Sequence, residues 1–346
     1  MSTSPSKPAA ASPANQPSPL PFFQAANAFH LTEAVKSALE LDMFTAIAEG
    51  SNTAAALAQR CQVAERGARI LCDYLTINGF LTKQNNQYGL TLDSATFLNR
   101  KSPAYMGDAV QFLASPHQKR GFELLTEAVR RGGTAIDDQG STAPEHPMWV
   151  SFARAMAPLM AMPAEGIARV LQADTAPAWK VLDIAAGHGV FGITLARHNK
   201  NARIVALDWQ NVLQVALENA QKAGISDRYS TIAGSAFDVD LGKDYDVVLL
   251  TNFLHHFDPG TCEKLLRKIH GALKAGGRVV TVEFVPNDDR VTPPESAGFS
   301  LIMLAGTPKG DAYTRRELEQ MFKNAGFSST ELHATPGAPF SILVTV

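Results

Sequence analysis

The sequence predicts an α/β protein in two parts, a mainly helical domain followed by a domain built on a mostly parallel sheet of seven strands. From Lys180 to the end, short apolar segments typical of buried strands alternate with segments of helical spacing. Before about Arg100, by contrast, helical segments dominate and only two brief strands are indicated. Alternating strands and helices are the pattern of a parallel sheet covered by helices on both faces.

The composition is typical of a soluble globular protein, and its charge argues against two classes of partner. The 346 residues are 45% apolar and 18% charged, with a formal net charge of −2. This balance argues against binding nucleic acid or anionic membrane through bulk charge. The 3 cysteines form neither a disulfide framework nor a C-x-x-C motif, which favours a reducing cytoplasm.

Residues 1–20 are predicted to form a disordered tail. They are rich in Ser, Pro and Ala, and their single charge is Lys7. No apolar segment follows Lys7, so a secretory signal is not expected. No apolar run of the chain approaches the roughly 20 residues that a membrane-spanning helix needs.

Residues 21–102 are predicted to form a winged helix. Helical spacing in ANAFHLTEAVKSALELDMFTAIAEG ends at Gly50, two shorter helical segments follow, and LTKQNNQYGLT predicts two strands joined by Asn-Asn. Winged helices often bind DNA, with one helix in the major groove. Residues 20–102, however, hold seven basic and seven acidic residues, whereas a DNA-reading face is normally basic. We therefore expect a packing or dimerisation role, with DNA binding as the alternative.

Residues 103–178 are predicted to form a helical linker that contributes to a substrate pocket. In MWVSFARAM, the side chains of Met148, Phe152 and Met156 recur every fourth residue and therefore share one helix face. Two interpretations stay open. The face packs in the core, or it forms an apolar wall over a bound aromatic substrate.

Residues 179–346 are predicted to form a cofactor-binding domain. Its expected strands are KVLDIAAG, ARIVALD, YSTIAG, YDVVLLTN, RVVTVEFV, STELHAT and FSILVTV. In open sheets of this type, cofactors bind beyond the carboxyl ends of the strands. The functional site is therefore expected at that edge of the sheet.

A glycine-rich turn follows the first of these strands. Residues 187–192, GHGVFG, match the G-x-G-x-x-G pattern with which dinucleotide sites place a pyrophosphate at a helix N-terminus. Asp183 just upstream would repel that anion but would attract the cationic amino group and sulfonium of S-adenosylmethionine (SAM). Asp208, about twenty residues on, ends the second strand and is placed to accept the ribose hydroxyls. The pattern favours SAM, with a nicotinamide dinucleotide as the alternative.

Six motifs, in order along the chain, make a resemblance to one family specific. They are LDIAAGHGVFG, ALDWQNV, AGSAFDVD, LLTNFLHHFDPGTCEKLLRKI, GGRVVTVEFVPND and FSLIMLAGTPKGDAYTRREL. From about Phe22 to Val346 the chain resembles the SAM-dependent O-methyltransferases that couple a winged-helix dimerisation domain to a Rossmann-like, class I methyltransferase domain. This group includes plant phenol methyltransferases and bacterial enzymes of pigment and antibiotic pathways. The resemblance implies SAM as the cofactor, S-adenosylhomocysteine (SAH) as its product, no metal, and a homodimer formed through the N-terminal domain.

By this resemblance, the cofactor contacts fall on the glycine turn and on the segments that follow three strands. The residues implied are Asp183, Gly187 and Gly189 at the methionine part, Asp208 at the ribose, and Trp209 next to the adenine. The segment that lines the adenine is implied at Ser235, Ala236 and Phe237, and a lysine near the cofactor is replaced by Thr251. The family has Asp-Met-Phe where this chain has Ser-Ala-Phe, so part of the adenine contact must differ.

The resemblance also implies a catalytic base in FLHHFDPGTC, which follows the strand YDVVLLTN. His255 corresponds to the family's base and Glu283 to the acid that orients it. His256 and Phe257 stand where the family has Asp and Trp. A phenol with a pKa of about 10 benefits from such a base, because histidine titrates in a useful range.

These residues also have plainer interpretations. His255 could be a loop histidine that only packs, and Glu283 could form a strand-end salt bridge. A metal site at His255, His256 and Asp258 is not expected, because adjacent histidines point apart on a regular strand or helix. The family's second orienting acid corresponds to Ala312, and the neighbouring Asp311 is the possible substitute.

By the same correspondence, the methyl acceptor is expected between two apolar walls. One wall is Phe299, Ile302 and Met303, and the other is Phe152 and Met156. Such walls suit flat, largely apolar molecules.

The sequence thus predicts a cytoplasmic, SAM-dependent methyltransferase of secondary metabolism that methylates a hydroxyl of a small aromatic or polyketide-like molecule through His255. Transfer to carbon or nitrogen, and other chemistry on a SAM-binding fold, stay open because the His-Asp-Trp motif is altered. A nicotinamide-dependent dehydrogenase and a ligand-responsive DNA-binding protein are the remaining alternatives. No nucleic-acid or membrane partner is expected, and the sequence assigns no role to Arg290.

Overall fold

The computed structural model describes residues 17–137, 139–335 and 338–346. The predicted tail therefore lies outside the described residues except for its last four positions. The chain divides into two compact units between Pro103 and Ala104.

The first unit is a group of helices with one β-hairpin. Its elements are α1 (Leu20–Glu40), α2 (Met43–Ala48), α3 (Ala54–Cys61), α4 (Glu65–Ile77), β1 (Leu81–Gln84), β2 (Gln87–Leu90) and α5 (Leu92–Phe97). The hairpin turn is Asn85-Asn86, and both residues have positive φ, at 47° and 61°. Asparagine tolerates this conformation, which matches the twist of the paired strands. The predicted hairpin is confirmed.

The prediction of one unbroken helix up to Gly50 is wrong. The segment is divided into α1 and α2 at Asp42, which has a left-handed φ of 56°. The Asp42 carboxylate lies 3.6 Å from the Arg60 guanidinium and 3.4 Å from that of Arg100. Helical spacing continues through the break because both helices bury apolar residues in the same core, so periodicity alone does not reveal it.

The apolar side chains of the first unit are divided between a core and an exposed row. Phe44 and Leu75 are buried, but Phe22, Phe23 and Phe29 on α1 are 70%, 55% and 62% exposed. Large apolar side chains exposed together on one helix are candidates for an interaction surface.

In the part of the chain that the structure describes, the second unit begins with three short α-helices and one long α-helix, and it continues as alternating strands and helices. Its first helices are α6 (Val110–Leu113), α7 (Pro116–Glu123), α8 (Leu125–Arg131) and α9 (Met148–Val170). The alternating part comprises β3 (Lys180–Ile184), α10 (Val190–His198), β4 (Arg203–Asp208), α11 (Gln210–Lys222), β5 (Tyr229–Ala233), β6 (Tyr245–Thr251), α12 (Pro259–His270), β7 (Leu273–Glu283), α13 (Pro294–Ala297), α14 (Phe299–Gly306), α15 (Arg315–Asn324), β8 (Thr330–Ala334) and β9 (Ser341–Thr345). Among the residues that the structure describes, no helix combines the length and apolar character needed to span a membrane.

Seven strands form one sheet in the order β5-β4-β3-β6-β7-β9-β8. The strands from β5 to β7 are parallel, and β9 runs antiparallel to both β7 and β8. The order reverses between β3 and β6, and ligands of open α/β sheets bind at such a reversal. The mostly parallel, seven-stranded sheet is confirmed.

Helices cover both faces of this sheet. Successive strand residues point to opposite faces, so Val181 packs in one core with Ile167 of α9 and Leu195 of α10. Leu182 packs in the other core with Leu265 of α12.

Helical spacing in TCEKLLRKIHGALKAGG predicts a helix that its last two glycines end, and this extent is wrong. The observed helix, α12, ends at His270, and β7 already begins at Leu273, which pairs with Tyr245. Gly276 and Gly277 lie within the strand.

Candidate active site

The predicted glycine turn lies at the carboxyl end of β3, beside the reversal of strand order. Ala185, Gly187 and Gly189 have positive φ, at 53°, 56° and 72°. Asn252, just after the neighbouring strand β6, also has a positive φ, of 51°. Positive φ is unfavourable for non-glycine residues such as Ala185 and Asn252, and conformations of this kind cluster at functional sites. This edge is therefore the candidate active site.

Asp208 ends β4 and supports the glycine turn directly. One carboxylate oxygen accepts a hydrogen bond from the amide of Gly187 at 2.8 Å, and the other accepts from the amide of Trp209 at 2.7 Å. Burial raises the pKa of Asp208 to about 6, although these two amides oppose the rise. The carboxylate is ionised at neutral pH, and each oxygen retains a lone pair for a further donor.

Asp183 lies behind the turn, fully buried on β3. Its Oδ2 accepts a hydrogen bond from the amide of Gly192 at 3.1 Å, and its Oδ1 has no hydrogen-bond partner among the described residues. Burial raises the pKa of Asp183 to about 8, so the carboxyl group is largely protonated at neutral pH. Asp183 therefore does not supply the negative charge that the sequence predicts beside the glycine turn.

Gly189 tests how tightly the turn is packed. A Cβ atom there would lie 2.6 Å from the Tyr229 hydroxyl and 3.1 Å from Cβ of Ala216, at a φ of 72°. We expect Gly189→Ala to lower the free energy of unfolding by about 3 kcal/mol, because backbone strain and steric overlap add. Urea unfolding measures the change.

The matched control is Gly224→Ala, because Gly224 has a φ of 70° but no atom within 4 Å of the added Cβ. It should cost about 1 kcal/mol, from backbone strain alone. Equal losses in the two variants would show that the packing around Gly189 is not tight.

His188, within the turn, was not predicted as a functional residue. It is buried, its Nδ1 accepts a hydrogen bond from the amide of Val190 at 3.1 Å, and its ring lies nearly parallel to that of Phe152, with centroids 6.4 Å apart. Burial lowers the pKa of His188 to about 4, so the ring is neutral. The glycine pattern leaves this position free, and no sequence signal identified it.

The segment after β5 holds the residues predicted to line the adenine. Ser235 Oγ accepts a hydrogen bond from the amide of Phe237 at 3.2 Å, and Ala236 is buried. The Phe237 ring contacts that of Phe257 edge-to-face, with centroids 5.0 Å apart. Thr251, the last residue of β6, is also buried.

His255 and Glu283 form the central pair of the site. Both are buried, and Nδ1 of His255 lies 2.5 Å from Oε2 of Glu283. The other Glu283 oxygen accepts hydrogen bonds from the amides of Phe253 and Leu254 at 3.1 and 2.9 Å. A carboxylate acceptor at Nδ1 keeps the proton there, so Nε2 is the free, basic nitrogen. The hydrogen bond of the His255 side chain to Glu283 therefore runs through Nδ1 and leaves Nε2 on the other side of the ring.

His256 lies beside this pair. Its ring centroid is 4.3 Å from that of His255, and its Nδ1 lies 3.2 Å from the carbonyl oxygen of Phe253. Burial, followed by the neighbouring His255, lowers the pKa of His256 well below its ordinary value. The ring is therefore neutral where the family has an acid.

Arg290, to which the sequence assigns no role, pairs with Asp311, the possible substitute for the family's second orienting acid. The Arg290 guanidinium lies 3.1 Å from the Asp311 carboxylate and also binds that of Glu317. The amide of Asp311 donates to the carbonyl oxygen of His255 at 2.9 Å, and Ala312 is buried. The Asp311 side chain is thus bound to Arg290, and the contact between Asp311 and His255 is made by backbone.

Phe299, from the first predicted acceptor wall, contacts His255. The Phe299 ring lies 4.8 Å from that of His255, edge-to-face, and stacks on Phe284 at 3.8 Å. Ile302 is half-buried and Met303 is buried on the same helix, α14. Phe284, the first residue after β7, is not among the predicted residues, but its ring also lies near that of His255, with centroids 6.3 Å apart.

Phe152, from the second predicted wall, is connected to His256 by the ring of Trp149. Phe152 packs edge-to-face on Trp149 at 5.6 Å, and Trp149 packs on His256 at 5.3 Å. Met156 is buried in the core beside α10, and Phe152 packs against the same core. Core packing therefore describes this helix face, and an apolar wall over a bound substrate stays a prediction.

Across the described ranges, no cluster of three or more His, Cys, Asp or Glu residues is placed to hold a metal ion. His255 and His256 both direct Nδ1 at protein oxygens.

Comparison with known protein families decides what kind of site this is. The O-methyltransferase domain matches residues 142–328, and the O-methyltransferase dimerisation domain matches residues 23–100. The chain belongs to the O-methyltransferase family. The predicted fold class, family and methyltransferase activity are thereby confirmed.

Two bacterial O-methyltransferases are similar over most of this chain. The 3-hydroxy-5-methyl-1-naphthoate 3-O-methyltransferase of Streptomyces sahachiroi is 30% identical over 89% of each chain. The tetracenomycin polyketide synthesis 8-O-methyl transferase of Streptomyces glaucescens is 28% identical, over 90% of this chain and 91% of its own.

Solved O-methyltransferase structures share the whole fold. A Nostoc punctiforme PCC 73102 protein described as an O-methyltransferase superimposes with a TM-score of 0.92 at 56% identity, covering 95% of this chain and 99% of its own. Human N-acetylserotonin methyltransferase in complex with SAM superimposes with a TM-score of 0.82 at 21% identity, covering 97% and 99%.

Proposed function

We propose that this chain transfers the methyl group of SAM to a hydroxyl of a small, flat aromatic or polyketide-like acceptor, with His255 as the general base. The observation that carries the proposal is the buried pair of His255 and Glu283. Its 2.5 Å contact fixes the base nitrogen, and the Phe299 ring lies against the same imidazole. A base beside an aromatic wall is what deprotonation of a bound phenol requires.

The residues at the carboxyl edge fit SAM in their chemistry. Asp208 retains acceptor capacity for two ribose hydroxyls, and Phe237 and Trp209 offer aromatic surface for the adenine. The turn at Gly187 and Gly189 lets the methionine part approach the backbone closely. We infer that Asp183 acts from behind the turn, through the amide of Gly192.

The protein's part in the reaction is to hold the acceptor in line and to move one proton. SAM supplies a methyl group on a sulfonium, with a neutral thioether as leaving group. His255 Nε2 takes the hydroxyl proton as the new oxygen–carbon bond forms. Glu283 stabilises the resulting imidazolium through Nδ1. Correct alignment supplies much of the acceleration in such a displacement.

The similar bacterial enzymes support the choice of acceptor class. One acts on a hydroxynaphthoate and the other in tetracenomycin polyketide synthesis, and both products are O-methylated. We infer that residues 103–178 supply one wall of this chain's acceptor pocket through Phe152 and Trp149.

The test is to incubate the purified chain with SAM and a panel of hydroxynaphthoates and polyketide-derived phenols, and to analyse products by mass spectrometry. We expect O-methyl products formed in equal amount with SAH. Matching acceptors that lack the hydroxyl are the control. Methyl on carbon or nitrogen, or SAM binding without turnover on any hydroxylated acceptor, would contradict the proposal.

Cofactor binding should depend on pH through Asp208. Ribose hydroxyls donate to the ionised carboxylate, so binding lowers its pKa from the free value of about 6. Protonation of the free protein therefore competes with the ligand below that pH. We expect SAH affinity to be constant above pH 6 and to fall below it by up to about tenfold per pH unit. Titration calorimetry from pH 5 to 8 measures this dependence.

Asp208→Asn is the matched control, since it should bind SAH weakly and lose the pH dependence near 6. A dependence that persists in Asp208→Asn would assign the titration to another group.

We propose that residues 21–102 form a homodimer interface and that the enzyme works in the cytoplasm. The dimerisation-domain match and the exposed Phe22, Phe23 and Phe29 support the first inference, and free cysteines support the second. Light scattering at micromolar concentration should give twice the chain mass, and Phe22→Ser with Phe29→Ser should lower it.

A further inference from the structure

Lys268 lies in the third turn of α12 and directs its ammonium at a single loop. Its Nζ is 3.0 Å from the carbonyl oxygen of Ala236, 2.9 Å from that of Phe237 and 2.6 Å from that of Val239. An ammonium group has three protons, so this one is fully engaged by backbone of one segment. The side chain is half-buried, which strengthens hydrogen bonds to a charge.

The three carbonyls belong to residues 235–239, the loop proposed to line the adenine. The carbonyl oxygen of Ser235 is bound within the loop, by the amides of Asp238 and Val239 at 3.0 Å each. The carbonyls of Ala236, Phe237 and Val239 converge on Lys268, and their dipoles would repel one another without the ammonium. The loop conformation therefore depends on a cation supplied by a different element.

The same helix connects the loop to the catalytic segment. Helix α12 begins directly after the two histidines, with Asp258 as its N-cap, and Phe257 packs on the Phe237 ring. Lys268 thus binds the backbone of Phe237, and Phe257 packs on its side chain. The two residues lie at opposite ends of the segment 257–268.

We infer that Lys268 is a positioning residue for cofactor binding: it fixes the backbone of residues 236–239 so that Phe237 meets the adenine. This role rests on the proposed use of SAM. It also explains how the loop keeps its form with Ser235 in place of the family's acid. Lys268 touches no reacting atom, so it acts on cofactor affinity and leaves methyl transfer itself unchanged.

The experiment compares Lys268→Met, Lys268→Gln and Lys268→Arg with wild type by titration calorimetry with SAH. We expect Lys268→Met to raise Kd by about tenfold, which corresponds to about 1.4 kcal/mol. Gln and Arg, which retain donors, should give smaller increases, with Arg nearest to wild type. At saturating SAM, kcat and the KM for the acceptor should stay within about twofold of wild type.

Lys264→Met is the matched control, because Lys264 is exposed on the same helix and the substitution is the same. It should leave Kd unchanged. Hydrogen exchange should be faster at residues 235–239 in ligand-free Lys268→Met than in wild type. It should slow again when SAH is added.

Three results would overturn the inference. One is a wild-type Kd for SAH in folded Lys268→Met. Another is an increase in Kd for Lys268→Gln or Lys268→Arg, which retain hydrogen-bond donors, that equals or exceeds the increase for Lys268→Met. The third is a lower kcat together with a higher KM for the acceptor and a lower thermal stability, which would indicate general destabilisation. A wild-type chain that binds neither SAM nor SAH would overturn the proposed function together with this role.

Discussion

His255→Ala is expected to lower kcat by about 10²–10⁴-fold while SAH affinity and thermal stability stay close to wild type. The imidazole is buried, its Nδ1 is held by Glu283 at 2.5 Å, and its ring contacts Phe299. Removing it takes away the group that accepts the hydroxyl proton but leaves the glycine turn and Asp208 in place. Steady-state kinetics at saturating SAM and acceptor measure the loss.

Two comparisons make this result specific to proton transfer. Acceptors whose hydroxyl has a lower pKa need less help from a base, so the loss in His255→Ala should shrink along a series of increasingly acidic phenols. His333→Ala, on the edge strand β8, controls for removal of a histidine elsewhere. A kcat within about threefold of wild type in His255→Ala would remove His255 from the role of base.

The sheet could be predicted because its strands satisfy local rules. A segment such as YDVVLLTN is apolar on both faces, which identifies a buried parallel strand from sequence alone. The Asn85-Asn86 turn is equally local, since two asparagines tolerate positive φ. The break at Asp42 was missed because apolar spacing runs through it.

The candidate site could be predicted only in part, because burial and pairing depend on distant segments. Resemblance implied both His255 and Glu283, and the contact between them closes a loop of 28 residues. From sequence alone Asp183 is expected to carry a negative charge, but its buried environment raises its pKa to about 8. Trp149 and Lys268 act through contacts with remote segments, and no local pattern marks such contacts.

Glu283→Gln should be almost as damaging as loss of the histidine, for a reason that the hydrogen bonds specify. The amide oxygen of glutamine can still accept from the amides of Phe253 and Leu254, so its NH₂ group must face Nδ1 of His255. Nδ1 then becomes the acceptor and the ring proton moves to Nε2, where it blocks uptake of the hydroxyl proton. We expect kcat to fall by about 10²–10⁴-fold with little change in SAH affinity.

The double variant, His255→Ala with Glu283→Gln, distinguishes this account from a purely structural role for Glu283. If the acid acts only through the imidazole, the double variant should be no slower than His255→Ala, because residues that act as a unit have non-additive effects. Thermal unfolding of all three variants controls for loss of the buried carboxylate. Rate losses that multiply in the double variant would mean that Glu283 supports catalysis by a route independent of His255, and the proposed tautomer control would then be wrong.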